Sequence, residues 1–121
     1  MSMYDVIIIG GGVAGLSAAM YSGRLEVKTL LLAEMVGGNI TLADVVENYP
    51  GFNRISGLDL ADKLRRHVED YDVEIKEEKV IKTEPYKDCF KVTTTGNVYR
   101  SKTKIFATGT RHRELNVPGE K

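Results

Sequence analysis

Apolar positions fall into two regimes along this chain. Tyr4 to Ile9 is an apolar run broken only by Asp5, and its Val6-Ile7-Ile8-Ile9 end is β-branched throughout. Such a run predicts a strand buried on both faces. Val13 to about Tyr21 is small and helix-compatible, and a helix there ends near Gly23. Its Ala14, Ala18 and Ala19 allow close approach to a sheet. Val27 to Ala33 reads as a second buried strand. Strand, helix and strand within about thirty residues make a βαβ unit with a right-handed crossover.

Met35 to Asn53 has glycines, a proline and no clear period, which predicts an ordered loop of functional kind. A helix then starts at Ser56, with Asp59 at capping-box spacing. Leu60, Leu64 and Val68 form its apolar stripe, widened by Ala61 and Tyr71, while Arg65, Arg66 and Glu69 form a solvated surface. From Val73 the period shortens. Val73 to Lys76 is a short strand, and Val80 to Thr83, Phe90 to Thr94 and Val98 to Ser101 suit an antiparallel meander, with Thr95-Gly96-Asn97 as one turn. Lys104 to Ala107 is a last buried strand, ended by Thr108-Gly109. The sum is an α/β chain with an inserted β-meander.

Composition narrows the function classes. The 121 residues suffice for one domain with a core. Lys plus Arg number 17 and Asp plus Glu number 17, so no net charge argues for nucleic acid or an anionic membrane. The single cysteine, Cys89, rules out an internal disulfide framework or a cysteine-cluster metal site, and it suits a small buried hydrophobe. The first apolar run lacks a basic flank and a cleavage site and is too short to span a bilayer, so a cytoplasmic setting is the expectation. His67 in the Arg-containing helix and His112 between Arg111 and Arg113 have no visible partner and read as solvated.

The chemistry concentrates in Gly10-Gly11-Gly12-Val13-Ala14-Gly15. Read as Gly10-x-Gly12-x-x-Gly15 between a strand and a helix, it is the fingerprint of a dinucleotide turn. Gly10 permits the tight turn, Gly12 lets the backbone approach a pyrophosphate, and Gly15 lets helix and strand pack closely. The phosphates would sit at a helix N-terminus, where free N–H groups and the helix dipole favour negative charge. Glu34 stands about 20 positions after the glycines, where a carboxylate takes ribose hydroxyls, or else it is a surface carboxylate that ends the strand. Its neighbours Met35 and Val36 supply no cation for a 2′-phosphate, so the site suits FAD or NAD rather than NADP.

Gly37-Gly38-Asn39 and the Val46-Glu47-Asn48-Tyr49-Pro50-Gly51-Phe52 stretch resemble the early FAD-contact loop of thioredoxin reductases. The glycine turn, Ala107-Thr108-Gly109 and Val117-Pro118-Gly119-Glu120 agree in order and spacing, and the resemblance covers essentially the whole chain. The turn and the Ala-Thr-Gly triplet occur in many flavoproteins with two dinucleotide-binding domains; the Glu-Asn-Tyr-Pro-Gly-Phe stretch is more specific. The threonine-rich stretch that often follows the two loop glycines is here Thr41-Leu42-Ala43-Asp44.

The resemblance implies a three-layer Rossmann-like FAD/NAD(P)-binding fold, with residues 1–121 as the N-terminal segment of the FAD domain. It implies FAD with its pyrophosphate against Gly12, Val13 and Ala14, its ribose on Glu34, and its ribityl–phosphate region near Gly38 and Asn39. Asn48 would contact the flavin ring, the Val80 backbone the adenine, and Thr108 and Gly109 would close the site. Asn48 serves equally as a turn cap before Pro50, Thr108 as a strand terminator, and Val80 as an ordinary strand residue. In the family, electrons pass from NADPH through FAD to a Cys-x-x-Cys pair and a thioredoxin-like partner, within a homodimer. That pair, a second glycine fingerprint and the closing FAD-domain segment are not in this sequence, so no residue is expected to be catalytic and the chain alone is expected to be inactive. A ferredoxin–NADP reductase of the same type, or a stand-alone FAD/NAD-binding module, remain alternatives.

Overall fold

A computed structural model describes residues 3–111 and 115–119. His112, Arg113 and Glu120 lie outside the described residues. In chain order the elements are β1 (Met3–Ile9), α1 (Val13–Arg24), β2 (Thr29–Leu32), a short 3-10 helix (Gly38–Leu42), α2 (Gly57–Glu69), β3 (Val73–Lys76), β4 (Val80–Tyr86), β5 (Cys89–Thr94) and β6 (Val98–Phe106). They form one six-stranded sheet in the order β3-β2-β1-β6-β5-β4. The neighbours β3, β2, β1 and β6 run parallel, while β4, β5 and β6 pair antiparallel.

Two core clusters make the layers. Val6, Ile8 and Leu31 pack on one face of the parallel strands against Leu16 and Ala19 of α1 and Val68 of α2. Ile7, Ile9, Leu30 and Leu32 on the other face pack against Val92 and Tyr99 of the meander. The continuous apolar runs of β1 and β2 follow from this, because strands covered on both sides leave no polar face. The expected three-layer α/β architecture is what forms.

The structure corrects several boundaries. Val98–Ser101 and Lys104–Ala107 are not two strands but one, β6. Its first half pairs with β5 and nearly its whole length pairs with β1, so the meander belongs to the main sheet rather than being a separate insert. The polar Lys102-Thr103 pair left between Ser101 and Lys104 is part of the strand, because backbone ladder bonds are indifferent to side-chain polarity. Nor is the end of β6 buried: Ile105 is 40% and Phe106 60% exposed. The second strand shortens to Thr29–Leu32. Helix α1 continues through Gly23 to Arg24, since Gly23 is buried against Tyr71 and Val73. The supposed loop from Met35 to Asn53 contains the 3-10 helix and a bridge between Val46 and Ile55. Strand β4 runs on through Pro85, tolerated because β4 is the sheet edge.

Several local expectations hold. The Ser56 hydroxyl accepts from the Asp59 N–H at 3.1 Å and caps α2. Leu60, Ala61 and Val68 are buried. Cys89 is a free, buried thiol. His67 is exposed and lies beside the Tyr71 ring.

A carboxylate ties the meander to β3. Glu78 accepts from the Thr94 hydroxyl at 2.6 Å, the Asn97 amide at 3.1 Å and the Tyr99 hydroxyl at 2.8 Å. The Thr94 bond first, with Asn97, Tyr99 and nearby Lys76 adding to it, holds the Glu78 carboxyl below its usual range. Burial first, and then Glu78, pushes the Tyr99 hydroxyl up to about 12. The two groups act at opposite ends of the pH scale. The Glu78 contribution is present above the ordinary carboxylate range and is lost as pH falls through its lowered folded value. The Tyr99 contribution is present below its ordinary value of 10.0 and is lost as pH rises toward about 12. Glu78→Gln is therefore expected to cost about 1–2 kcal/mol at neutral pH, as charged hydrogen bonds at a half-exposed group do. Urea melts from pH 7 to pH 3 check this: the gap between the variant and the native chain must narrow as pH falls.

Candidate dinucleotide site

The glycine turn sits at the C-terminal end of β1, the usual ligand edge of an open parallel sheet. Each fingerprint glycine meets a different constraint. Gly10 has φ +116, and a Cβ on it would lie 2.0 Å from the Ala107 carbonyl oxygen, so β6 closes on the turn only where no side chain exists. A Cβ on Gly15 would lie 2.0 Å from the Gly10 carbonyl oxygen, which sets how closely α1 docks. Gly12 differs. Its Cβ would meet only the Gly37 carbonyl oxygen, at 3.8 Å, so nothing in the protein requires a glycine there. A glycine without an internal neighbour at its Cβ position fits a place where the backbone is approached by a ligand pyrophosphate.

The helix behind it is prepared in the same sense. α1 starts at Gly12 with no side-chain cap and no acidic residue in its first turn. α2, by contrast, has both the Ser56 cap and Asp59. The first N–H groups of α1, at Val13, Ala14 and Gly15, thus stand at the positive end of the helix dipole without a side-chain cap, as an anion site requires.

The 3-10 helix is wedged beside the turn. The Gly37 N–H donates to the Gly11 carbonyl at 2.7 Å. Gly38, at φ +61, would place a Cβ 3.1 Å from the Gly12 Cα. From the other side, a Cβ on Gly57 would lie 1.8 Å from the Ile40 carbonyl oxygen, so the start of α2 presses on the same segment. Gly57 has no place in either glycine motif, and Gly11 and Gly37 stand in those motifs without an assigned contact. The Gly37-Gly38 pair was a visible signal, whereas the close contact at Gly57 had none in the sequence.

The structure brings Gly10, Gly12, Val13, Ala14, Gly15, Gly38, Asn39, Glu34, Thr108 and Gly109 to one edge of the sheet. Asn39 donates to the Thr110 carbonyl at 2.7 Å and to its hydroxyl at 3.2 Å. Glu34 is exposed just past β2 and meets the Arg111 guanidinium at 3.5 Å. The neighbours of Glu34 in sequence offered no cation; the fold supplies one from the distant Arg111. Asn48 and Val80 lie on other segments of the chain. Asn48 is on the excursion between Val46 and Ile55 and lines an open concavity with Glu47, Tyr49 and Phe52. Val80 starts β4 and packs against the meander-side core. Among the described residues no cluster of side chains could hold a metal ion. No described helix is long and apolar enough to cross a membrane.

Comparison with known proteins decides among the families that share such a turn. Residues 4–121 match the family described as pyridine nucleotide-disulphide oxidoreductase. The chain belongs to that family. A 34.2 kDa protein in the rubredoxin operon of Clostridium pasteurianum is 45% identical over 118 residues, covering 96% of this chain and 38% of that protein. Thioredoxin reductase of Treponema pallidum is 39% identical, covering 97% of this chain and 39% of its own length. Among solved structures, thioredoxin reductase of Lactococcus lactis superposes with a TM-score of 0.92 at 42% identity, over 97% of this chain and 39% of that one. The chain thus spans under two fifths of the length of these relatives, and its fold is that of the corresponding part of the thioredoxin reductases.

Proposed function

We propose that this chain binds FAD and forms the N-terminal segment of the flavin domain in a thioredoxin-reductase-like enzyme that carries electrons from NADPH to a disulfide. The observation that carries the reading is the open Cβ position of Gly12 at an uncapped helix N-terminus, in a turn where Gly10 and Gly15 are sterically obligatory. The residues present fit the cofactor. Gly12 and the N–H groups of Val13 and Ala14 receive the pyrophosphate, Glu34 the adenosine ribose, and Gly38 and Asn39 the ribityl–phosphate region. Thr108 and Gly109 close the site from β6. On the resemblance, Asn48 meets the flavin ring and the Val80 backbone the adenine.

Bound flavin would take a hydride from reduced nicotinamide and return electrons to a disulfide. This chain's residues bind and orient it. Cys89 is the single cysteine and is buried, so thiol exchange with a thioredoxin-like partner draws on a Cys-x-x-Cys pair outside this chain. A homodimer is proposed for the whole protein.

Titrating the purified chain with FAD tests the reading. Quenched and red-shifted flavin absorbance that stays with the protein through gel filtration is expected. Flavin absorbance and fluorescence that stay unchanged at saturating protein would sink it.

A further inference from the structure

We propose that Thr110 and Arg111, at the far end of the strap 107–111, form a gate over the dinucleotide crevice, closed by Arg111 on Glu34 and opened about Gly109 when a ribose takes that carboxylate. The proposal rests on the dinucleotide reading of the glycine turn. The path of the chain positions the gate. In the sheet, β1 lies between β6 and β2. The Ala107 N–H donates to the Ile9 carbonyl at 2.8 Å, which holds the start of the segment at the β6–β1 junction. Its far end reaches Glu34 beyond β2, where the guanidinium lies 3.5 Å from the carboxylate. Between these anchors the segment crosses the end of β1, where the glycine turn sits. Two strand spacings are about 10 Å, well within the reach of five residues. Part-way across, the Asn39 amide holds Thr110 at 2.7 Å and 3.2 Å.

Two residues assigned to the dinucleotide, Glu34 and Asn39, therefore hold the strap instead. The guanidinium contacts Oε2 of Glu34, and a ribose diol that donates through both hydroxyls to the carboxylate competes for that oxygen. The closing pair is weak enough to give way. Its side chains are 78% and 60% exposed, and an exposed pair shifts an equilibrium by at most about five-fold. Gly109, at φ +71 with nothing near its Cβ position, gives the strap a pivot.

Stopped-flow FAD binding to the whole chain and to Arg111→Gln tests the gate. The variant is expected to bind FAD roughly three-fold tighter, mainly through faster association, and the gain should vanish in a Glu34→Gln background. Equal affinity of variant and native chain overturns the gate while leaving the FAD reading intact. Weaker binding of Arg111→Gln in both backgrounds also overturns it, and makes Arg111 a cofactor ligand. Absence of FAD binding by every variant overturns the dinucleotide reading itself, and the gate with it. Closure is also read without any ligand. Trypsin should cleave after Arg111 several-fold faster in Glu34→Gln than in the native chain, and equal rates would show that the strap is not held.

Discussion

Gly15→Ala is expected to destabilise this protein by on the order of 3 kcal/mol, a thermal midpoint lower by roughly 10–20 °C. The reason is steric and local. The added Cβ would sit 2.0 Å from the Gly10 carbonyl oxygen. That oxygen belongs to the backbone of the turn and cannot rotate away as a side chain would. Relief requires α1 to lift from the end of β1, and that lifts Leu16 and Ala19 from Ile8 and Leu31 in the helix-side core. Circular dichroism melts of the native chain and the variant measure the effect. A midpoint within two or three degrees of the native value would mean that α1 docks less tightly than its contacts indicate. Flavin binding is expected to be lost together with the fold, so this variant reports on packing and not on the site.

Gly12→Val should behave in the opposite way. The backbone there is extended, at φ −79 and ψ −162, a conformation open to any residue. The nearest atom to a new Cβ is 3.8 Å away, and the helix loses no side-chain cap. A folding cost below about 1 kcal/mol is expected, because a β-branched residue is only a poorer helix-capping residue than glycine. FAD affinity should fall by roughly 100-fold or more, close to 3 kcal/mol, because the isopropyl group fills the space proposed for the pyrophosphate. The two variants separate the jobs of one motif. If Gly12→Val keeps native affinity, the pyrophosphate assignment is wrong; if it unfolds, the space beside Gly12 is not free.

Much of this architecture was legible residue by residue. The β-branched run before Gly10 marked β1, and the spacing of Leu60, Leu64 and Val68 marked the buried face of α2. The strand-to-helix glycine spacing marked the turn. These are local properties: side-chain periodicity records which faces are covered, and a glycine records a torsion or a close approach. The continuity of β6 was not legible. Lys102-Thr103 carries no apolar signal of a strand, and pairing of β6 with β1 keeps the chain extended past the last β5 partner, Ser101. Asn48 and Val80 rested on resemblance alone, since neither the excursion between Val46 and Ile55 nor the start of β4 carries a local signal of what it faces.

By itself, then, the sequence determined the strand-turn-helix unit, the identity of its three spaced glycines and the carboxylate that follows them. The tertiary structure decided what each of these touches. Gly10 is obligatory because Ala107 lies against it, Gly12 is free because nothing does, and Glu34 has a cationic partner because β1 separates two strands whose ends are bridged by one short strap. Torsional freedom and apolar periodicity belong to single segments and can be read in order. Contacts across the sheet edge depend on strand order, which backbone pairing between β1 and the far-removed β6 sets, and no local pattern encodes that.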